Sequence, residues 1–300
     1  MVAERQASMR IPMPRNRRLS DVRQPVDAVV LSGGGALGAV QVGALKALVE
    51  HGVKPDLLVG CSVGALNAGF FGCSPTPQRA LELERLWLSL TSVDVFGKGH
   101  AVVGHLLRRH THIYDPDALH ALIRRGMTVD DLSKTAVPVH VVTTNLDSGR
   151  PEWWTSGDPV QVLAASACLP GIFPPVEFAD ELHVDGGVTC PVPVMRALEL
   201  GADRVWVVDV RGGSVGRRDA RMTALDVLLL SFSITRDALV HNLPSDPRVI
   251  RLPRYETGAM DMRDFSRTRE LIDGGYERTK EFLEGTIRLP DVTHVATSAG

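Results

Sequence analysis

Ser62 lies between two glycines in Gly60-Cys61-Ser62-Val63-Gly64, a spacing that lets the backbone turn sharply and present a hydroxyl at the apex. The apolar run from Asp56 to Gly60 reads as a strand, and a helical segment follows from about Ala65. On such a strand-to-helix turn the Ser62 oxygen stands at the C-terminal edge of a sheet. The N-terminus of the following helix then favours a negative charge developing beside it. The chemistry this suits is nucleophilic attack on an acyl carbonyl. The plainer use of a serine there is as the N-cap of an ordinary helix.

Two further segments carry polar chemistry. Ser32-Gly33-Gly34-Gly35-Ala36-Leu37-Gly38 follows a strand and leaves backbone N–H groups uncovered, which suits an oxyanion or a phosphate. Gly33, Gly35 and Gly38 also spell the G-x-G-x-x-G of a dinucleotide-binding oxidoreductase. That pattern wants an acid about 20 residues on, at the end of the second strand. Here the second strand ends in Gly60 and Cys61, and its acid, Asp56, sits at its start, so the ribose partner is missing. In Val184-Asp185-Gly186-Gly187 a carboxylate ends a strand, either as a group held at the sheet's C-terminal edge, where open α/β sheets place their sites, or as part of a structural Asp-Gly turn. Asp209 and Asp147 are rival acids, and position alone does not choose among the three.

These residues need a scaffold, and the hydrophobic pattern supplies one. Asp27 to Ser32 is a short buried strand, and Leu37, Val40, Ala44, Leu45 and Leu48 form one face of a helix that Gly52 stops. Further strands are expected at Val139–Thr144, Glu181–Asp185 and Arg204–Val210. Helices are expected near 78–90, 116–125, 159–168, 192–200, 223–242 and 264–284. Strands alternating with helices imply an α/β fold, a mostly parallel central sheet with helices on both faces. One domain is expected over 25–290. Residues 1–24, with six arginines against Glu4 and Asp21, read as a basic disordered arm able to attract anionic lipid, and 291–300 as a flexible tail.

Composition excludes several classes. Hydrophobic residues are 44% and charged residues 23% of the 300, with a formal net charge of −2, as in an ordinary globular protein. With no basic excess and only 5% aromatic residues, no nucleic-acid partner is expected. No apolar run approaches a membrane span and no secretory leader is expected. Cys61, Cys73, Cys168 and Cys190 form no CxxC pair and read as reduced thiols, so a cytoplasmic location is expected. His100, His105, His110, His112 and His120 crowd one region without metal-ligand spacing, so no metal is assigned. Residues 93–107 mix glycines with apolar side chains, as a flap over a lipid site would.

In this order the three polar segments resemble the patatin-like phospholipases, a family of lipid acyl hydrolases. Ala165-Ser166-Ala167-Cys168-Leu169-Pro170-Gly171-Ile172-Phe173-Pro174-Pro175-Val176 is similar to the stretch before that family's Asp-Gly motif. The resemblance covers about 27–210 and is nearest to single-domain bacterial members. It implies a patatin-like fold with a nucleophile elbow at Ser62, and Asp185 as the acid of a Ser–Asp dyad. It implies an oxyanion-hole loop at Gly33, Gly34 and Gly35, with Gly38, Gly60, Gly64, Gly186 and Gly187 supporting the turns. The implied substrates are fatty acyl esters of (lyso)phospholipids or related lipids, at or near a membrane surface, with no cofactor. The sequence leaves the oligomeric state open. Leu37 departs from the pattern, since many members carry Arg or Lys there. The alternative on this fold is a non-catalytic acyl-lipid or partner-binding protein, which the full set of matched residues opposes.

Such a dyad works without histidine. Only His241 and His294 follow Asp185, one closing a helical pattern and the other in a polar tail, and neither fits a triad. An ordinary aspartate, with a pKa near 3.9, is a poor base for a hydroxyl. Burial raises that value, and good oxyanion donors contribute about 3–4 kcal/mol each.

Overall fold

A computed structural model describes residues 24–97, 111–178, 180–210, 223–241, 245–258 and 260–287. The expected basic arm (but for its last residue), the C-terminal tail, and residues 98–107 of the candidate flap lie outside the described residues.

Two strands form the centre. β1 (Asp27–Leu31) and β2 (Leu57–Cys61) are buried at every residue. Their alternate side chains feed two separate cores: Val29, Leu31 and Leu58 join one, and Ala28, Val30, Leu57 and Val59 the other. A strand covered on both faces requires that alternation of apolar contacts, and it explains why these runs are apolar throughout. β3 (Val139–Asn145) pairs parallel with β2, β7 (Arg204–Val208) with β1, and β8 (Val249–Arg251) with β7. The parallel sheet expected from the sequence therefore runs from β3 through β2, β1 and β7 to β8.

Beyond β3 the sheet turns antiparallel. β4 (Pro151–Trp154) and β6 (Glu181–Asp185) both run against β3, and β5 (Val176–Phe178) runs against β6. Along one edge of β3, β4 sets Trp153 opposite Val142 and Glu152 opposite Thr143. A strand has only two edges, so β2 and β6 share the other: Cys61 opposes Val142, and Asp185 opposes the next residue, Thr143. The C-terminal ends of β2 and β6 thus meet head-on against β3, which fixes the site.

Helices cover both faces. They are α1 (Gly38–Glu50), α2 (Val63–Gly72), α3 (Pro77–Leu88), α4 (Ser92–Phe96), α5 (Asp117–Gly126), α6 (Pro159–Ala167), α7 (Val194–Glu199), α8 (Ala224–His241) and α9 (Thr268–Ile287). Two starts are written locally. Pro77 opens α3 while Thr76 accepts the Arg79 N–H, and Pro159 opens α6 while Asp158 accepts the Val160 N–H. The larger core takes side chains from α1, α2, α3, α5, α6 and α9 and Leu229 of α8; the smaller takes Val194 and Ala197 of α7 and Val240 of α8. α1 and α9 pack in close contact, since a Cβ on Gly43 would fall 2.0 Å from the Ile272 carbonyl oxygen. No helix among the described residues is long and apolar enough to cross a membrane.

Candidate active site

Ser62 is the single residue joining β2 to α2, and its backbone stands at φ 55°, ψ −126°. For a residue with a side chain that is a strained conformation, held only because its surroundings over-determine it. The flanking glycines show how. A Cβ on Gly64 would lie 2.3 Å from the Leu31 carbonyl oxygen, and one on Gly60 would lie 2.5 Å from that of Gly64. The turn is therefore pressed against β1 with no room for side chains on either side of the serine. Ser166, at the end of α6, completes the clamp: its hydroxyl accepts the Ser62 N–H at 3.0 Å and donates to the Val142 carbonyl at 2.7 Å.

The Ser62 hydroxyl donates to Asp185 Oδ2 at 2.6 Å. Asp185 Oδ1 accepts the Gly187 N–H at 2.7 Å, so the Asp-Gly-Gly turn holds the carboxylate by its second oxygen. Asp185 is fully buried, and burial pushes its pKa up from 3.8 to about 7; the bonds from Ser62 and Gly187 pull the other way. Burial, with the nearby Asp185 adding to it, also pushes the Cys61 and Cys168 thiols up, so neither supplies a thiolate beside Ser62.

The structure separates Asp185 from its rivals. Asp209 is a buried ion-pair partner, 2.7 Å from Arg236 and 2.8 Å from Arg254. Asp147 is exposed on the turn after β3, its N–H bonded to the Asn145 side chain. No histidine ring among the described residues hydrogen-bonds to Ser62 or Asp185. His241 closes α8, and His294 lies outside the described residues.

The glycine loop runs beside the serine, and a Cβ on Gly33 would sit 3.3 Å from that of Ser62. The three glycines are not equivalent. The Gly33 N–H donates to the Pro191 carbonyl at 3.1 Å, which narrows the expectation that all three face an oxyanion. The N–H groups of Gly34 and Gly35 find no acceptor among the described residues. Gly35 has φ 59° and a Cβ there would strike the Met262 carbonyl at 2.5 Å, so only glycine fits. Gly38 opens α1, where a Cβ would meet Val63 at 2.4 Å; its role is packing of α1 on α2. Gly186 is equally tight, its Cβ position 2.4 Å from the Val142 carbonyl oxygen. Leu37 is buried in the larger core, so this position offers no cation to the loop.

Sequence reasoning missed the groups that hold the loop. Gln41 donates to the Ser32 carbonyl at 2.7 Å, Asn67 donates to Gln41 at 2.8 Å, and Trp87 donates to Asn67 at 2.8 Å. On the other side Arg236 of α8 reaches Ser32 Oγ at 3.3 Å, Asp209 at 2.7 Å and the Val210 carbonyl at 2.5 Å. An arginine within the largely apolar 223–242 pattern, which also holds Asp226 and Asp237, is the available signal, because such a charge is buried only when paired. The same helix covers the Asp-Gly-Gly turn: a Cβ on Gly187 would come within 3.1 Å of Phe232, and one on Gly171 within 3.2 Å of Leu228.

Relatives carry the same region. The chain is 27% identical to a lysophospholipase of Aspergillus terreus over 88% of its own length and 19% of that protein's. It is 26% identical to an uncharacterized NTE family protein of Mycobacterium tuberculosis over 70% of its length and 56% of that protein's. The chain thus spans well under two thirds of these relatives. Among solved structures, VipD from Legionella pneumophila aligns over 88% of this chain and 67% of its own, at 16% identity and a TM-score of 0.49. The sequence pattern that defines the patatin-like phospholipases matches residues 29–198, more than half of the chain, and the chain belongs to that family.

Proposed function

We propose that this protein hydrolyses fatty acyl esters of lipids through an acyl-Ser62 intermediate, with Asp185 as the only proton-transfer group. The observation that carries this reading is the 2.6 Å contact between Ser62 and a fully buried Asp185 whose pKa burial pushes up to about 7. Asp185 takes the Ser62 proton as Oγ attacks the ester carbonyl, and returns it to the leaving alkoxide. Water then enters, gives a proton to Asp185 and attacks the acyl-enzyme, and Ser62 leaves with that proton. The N–H groups of Gly34 and Gly35 are the oxyanion donors, while Gly33 anchors their loop through Pro191. The N-terminus of α2 adds its partial positive charge from behind Ser62. Phe232 and Leu228 of α8 give the acyl chain an apolar wall above the Asp-Gly-Gly turn. With Leu37 in the core, the loop favours neutral acyl esters and lysophospholipids over substrates that need a cation beside the oxyanion.

The test joins chemistry to identity. A fluorophosphonate probe should label Ser62, located by peptide mass spectrometry, and the label should vanish in Ser62→Ala. Hydrolysis of p-nitrophenyl esters and of lysophosphatidylcholine should fall by at least 1,000-fold in Ser62→Ala and in Asp185→Asn. A wild-type protein that turns over none of these, phospholipid vesicles included, would hand the site to acyl-lipid binding without catalysis.

A further inference from the structure

The sheet face that carries Asp185 holds a second polar cluster. Residues 181, 183 and 185 alternate onto one face of β6, and register sets His183 opposite Asn145 and Glu152 opposite Thr143. Glu152 of β4 and Glu181 and His183 of β6 thereby bring one ligating atom each within 4.8 Å of one another, across β3.

Three features make this a built site. His183 is fully buried and its Nε2 has no hydrogen-bond partner, Glu152 Oε2 standing 4.0 Å away. The imidazole is also fixed in orientation: Phe178 stacks on it at 4.2 Å, Trp154 meets it edge-on at 5.4 Å, and Nδ1 lies 3.1 Å from Thr143 Oγ1. Third, a single amide holds the two carboxylates side by side, Asn145 Nδ2 donating to Glu152 Oε1 and to Glu181 Oε2, both at 2.7 Å. Neither glutamate has a lysine or arginine partner among the described residues. Two carboxylates held together around a buried, unpartnered imidazole nitrogen form a donor set that lacks its cation.

We propose that Glu152, Glu181 and His183 bind a divalent transition-metal ion, with Zn²⁺ the best match. One imidazole and two carboxylates suit that ion, whereas Mg²⁺ and Ca²⁺ prefer all-oxygen sets. His183 ligates through Nε2 while its Nδ1–H donates to Thr143 Oγ1, which already accepts the Trp154 Nε1–H at 2.8 Å. Such outer partners orient a metal-bound histidine. Ligand atoms around tetrahedral Zn²⁺ sit about 3.3 Å apart, so the three side chains close inward by roughly 1 Å. The ion ties β4 to β6 across β3 and takes no part in the proton transfer at Ser62.

The experiment is Zn²⁺ binding to the full, tag-free chain after EDTA stripping and dialysis, read by competition with a chromophoric chelator and by thermal unfolding. Glu152→Gln alone and Glu152→Gln with Glu181→Gln are compared, each matched to wild type in metal-free circular dichroism. The expected result is one Zn²⁺ per chain, a raised Tm, and binding weakened at least 100-fold in the double variant. Excess Mg²⁺ or Ca²⁺ should leave Zn²⁺ in place. The half-buried Glu152 makes its single variant the check should the double one not fold, with an expected loss of at least 10-fold. Wild type that takes up no stoichiometric Zn²⁺, or variants that bind as wild type does, would overturn the proposal; equal competition by Mg²⁺ would overturn the choice of ion class.

Discussion

Asp185→Asn separates the catalytic use of a buried carboxylate from its structural cost. Folding raises the Asp185 pKa from 3.8 to about 7, mainly by burial. The unfolded chain, with an ordinary value near 3.9, therefore releases its proton first as pH rises. Stability falls between about pH 4 and pH 7 and is flat above. Roughly three units at 1.36 kcal/mol each put that cost at ~4 kcal/mol. Asparagine escapes it, because it does not ionise and its side-chain oxygen can still accept the Gly187 N–H. Urea unfolding of wild type and Asp185→Asn, both in EDTA, should show the variant gaining about 3–4 kcal/mol relative to wild type between pH 4 and pH 8. Its esterase activity should stay at the Ser62→Ala background throughout. In the proposed mechanism the same ionisation governs wild-type turnover, since only the carboxylate accepts the Ser62 proton. Below about pH 7, kcat/KM should therefore fall tenfold per pH unit. A stability difference that does not change with pH, together with an acid limb near pH 4, would refute the raised pKa and with it the explanation of how an aspartate serves as base.

Other residues make separate claims. Ser166→Ala leaves the Ser62 N–H and the Val142 carbonyl without their shared partner; urea unfolding should show a loss of about 1–3 kcal/mol, with kcat reduced more than KM is changed. Gly64→Ala puts a methyl 2.3 Å from a buried carbonyl oxygen and should abolish esterase activity and soluble yield. Gly52→Ala, with nothing within 4 Å but a φ of 82°, should lose only about 1 kcal/mol in the same unfolding assay. Asp209→Asn leaves Arg236 charged and buried under the glycine loop. It should cost about 3 kcal/mol of stability and lower kcat through the loop, with its effect on kcat growing in Asp209→Ala.

What the sequence makes legible follows from where the constraint is local. Gly60, Gly64 and Gly35 are visible because close backbone approach leaves a glycine as its trace, one position at a time. β1 and β2 are visible because burial on both faces demands an unbroken apolar run. The choice of Asp185 over Asp209 has no such trace. β6 ends in Asp185 and β7 is followed directly by Asp209, and what distinguishes them is that β6 runs antiparallel to β3 and stops against the end of β2. Those pairings bring Asp185 beside Ser62, 123 positions away along the chain, and only the family resemblance pointed to that contact. The same gap hides β4, which begins at Pro151, and β5, three residues long. It also hides Glu152, Glu181 and His183, whose proximity arises across three strands and corresponds to no metal-ligand spacing along the chain.

The Gly33 N–H shows how far a glycine motif can be read along the chain. Three consecutive glycines mark a loop free to present its amides, but composition says nothing about which amide the rest of the protein claims. Pro191, just beyond the Asp-Gly-Gly turn, accepts the Gly33 N–H. The glycine loop and the segment that follows the Asp-Gly-Gly turn are therefore tied by a backbone hydrogen bond. Ser62 is tied to both, through the 2.6 Å bond to Asp185 and the close approach of Gly33. Ser62, Asp185 and the glycine loop follow three separate strand ends, and their relative placement rests on backbone contacts more than on side-chain choice. Conservative changes around the site should accordingly tune the rate, whereas a methyl added at Gly60, Gly64 or Gly186 should remove it.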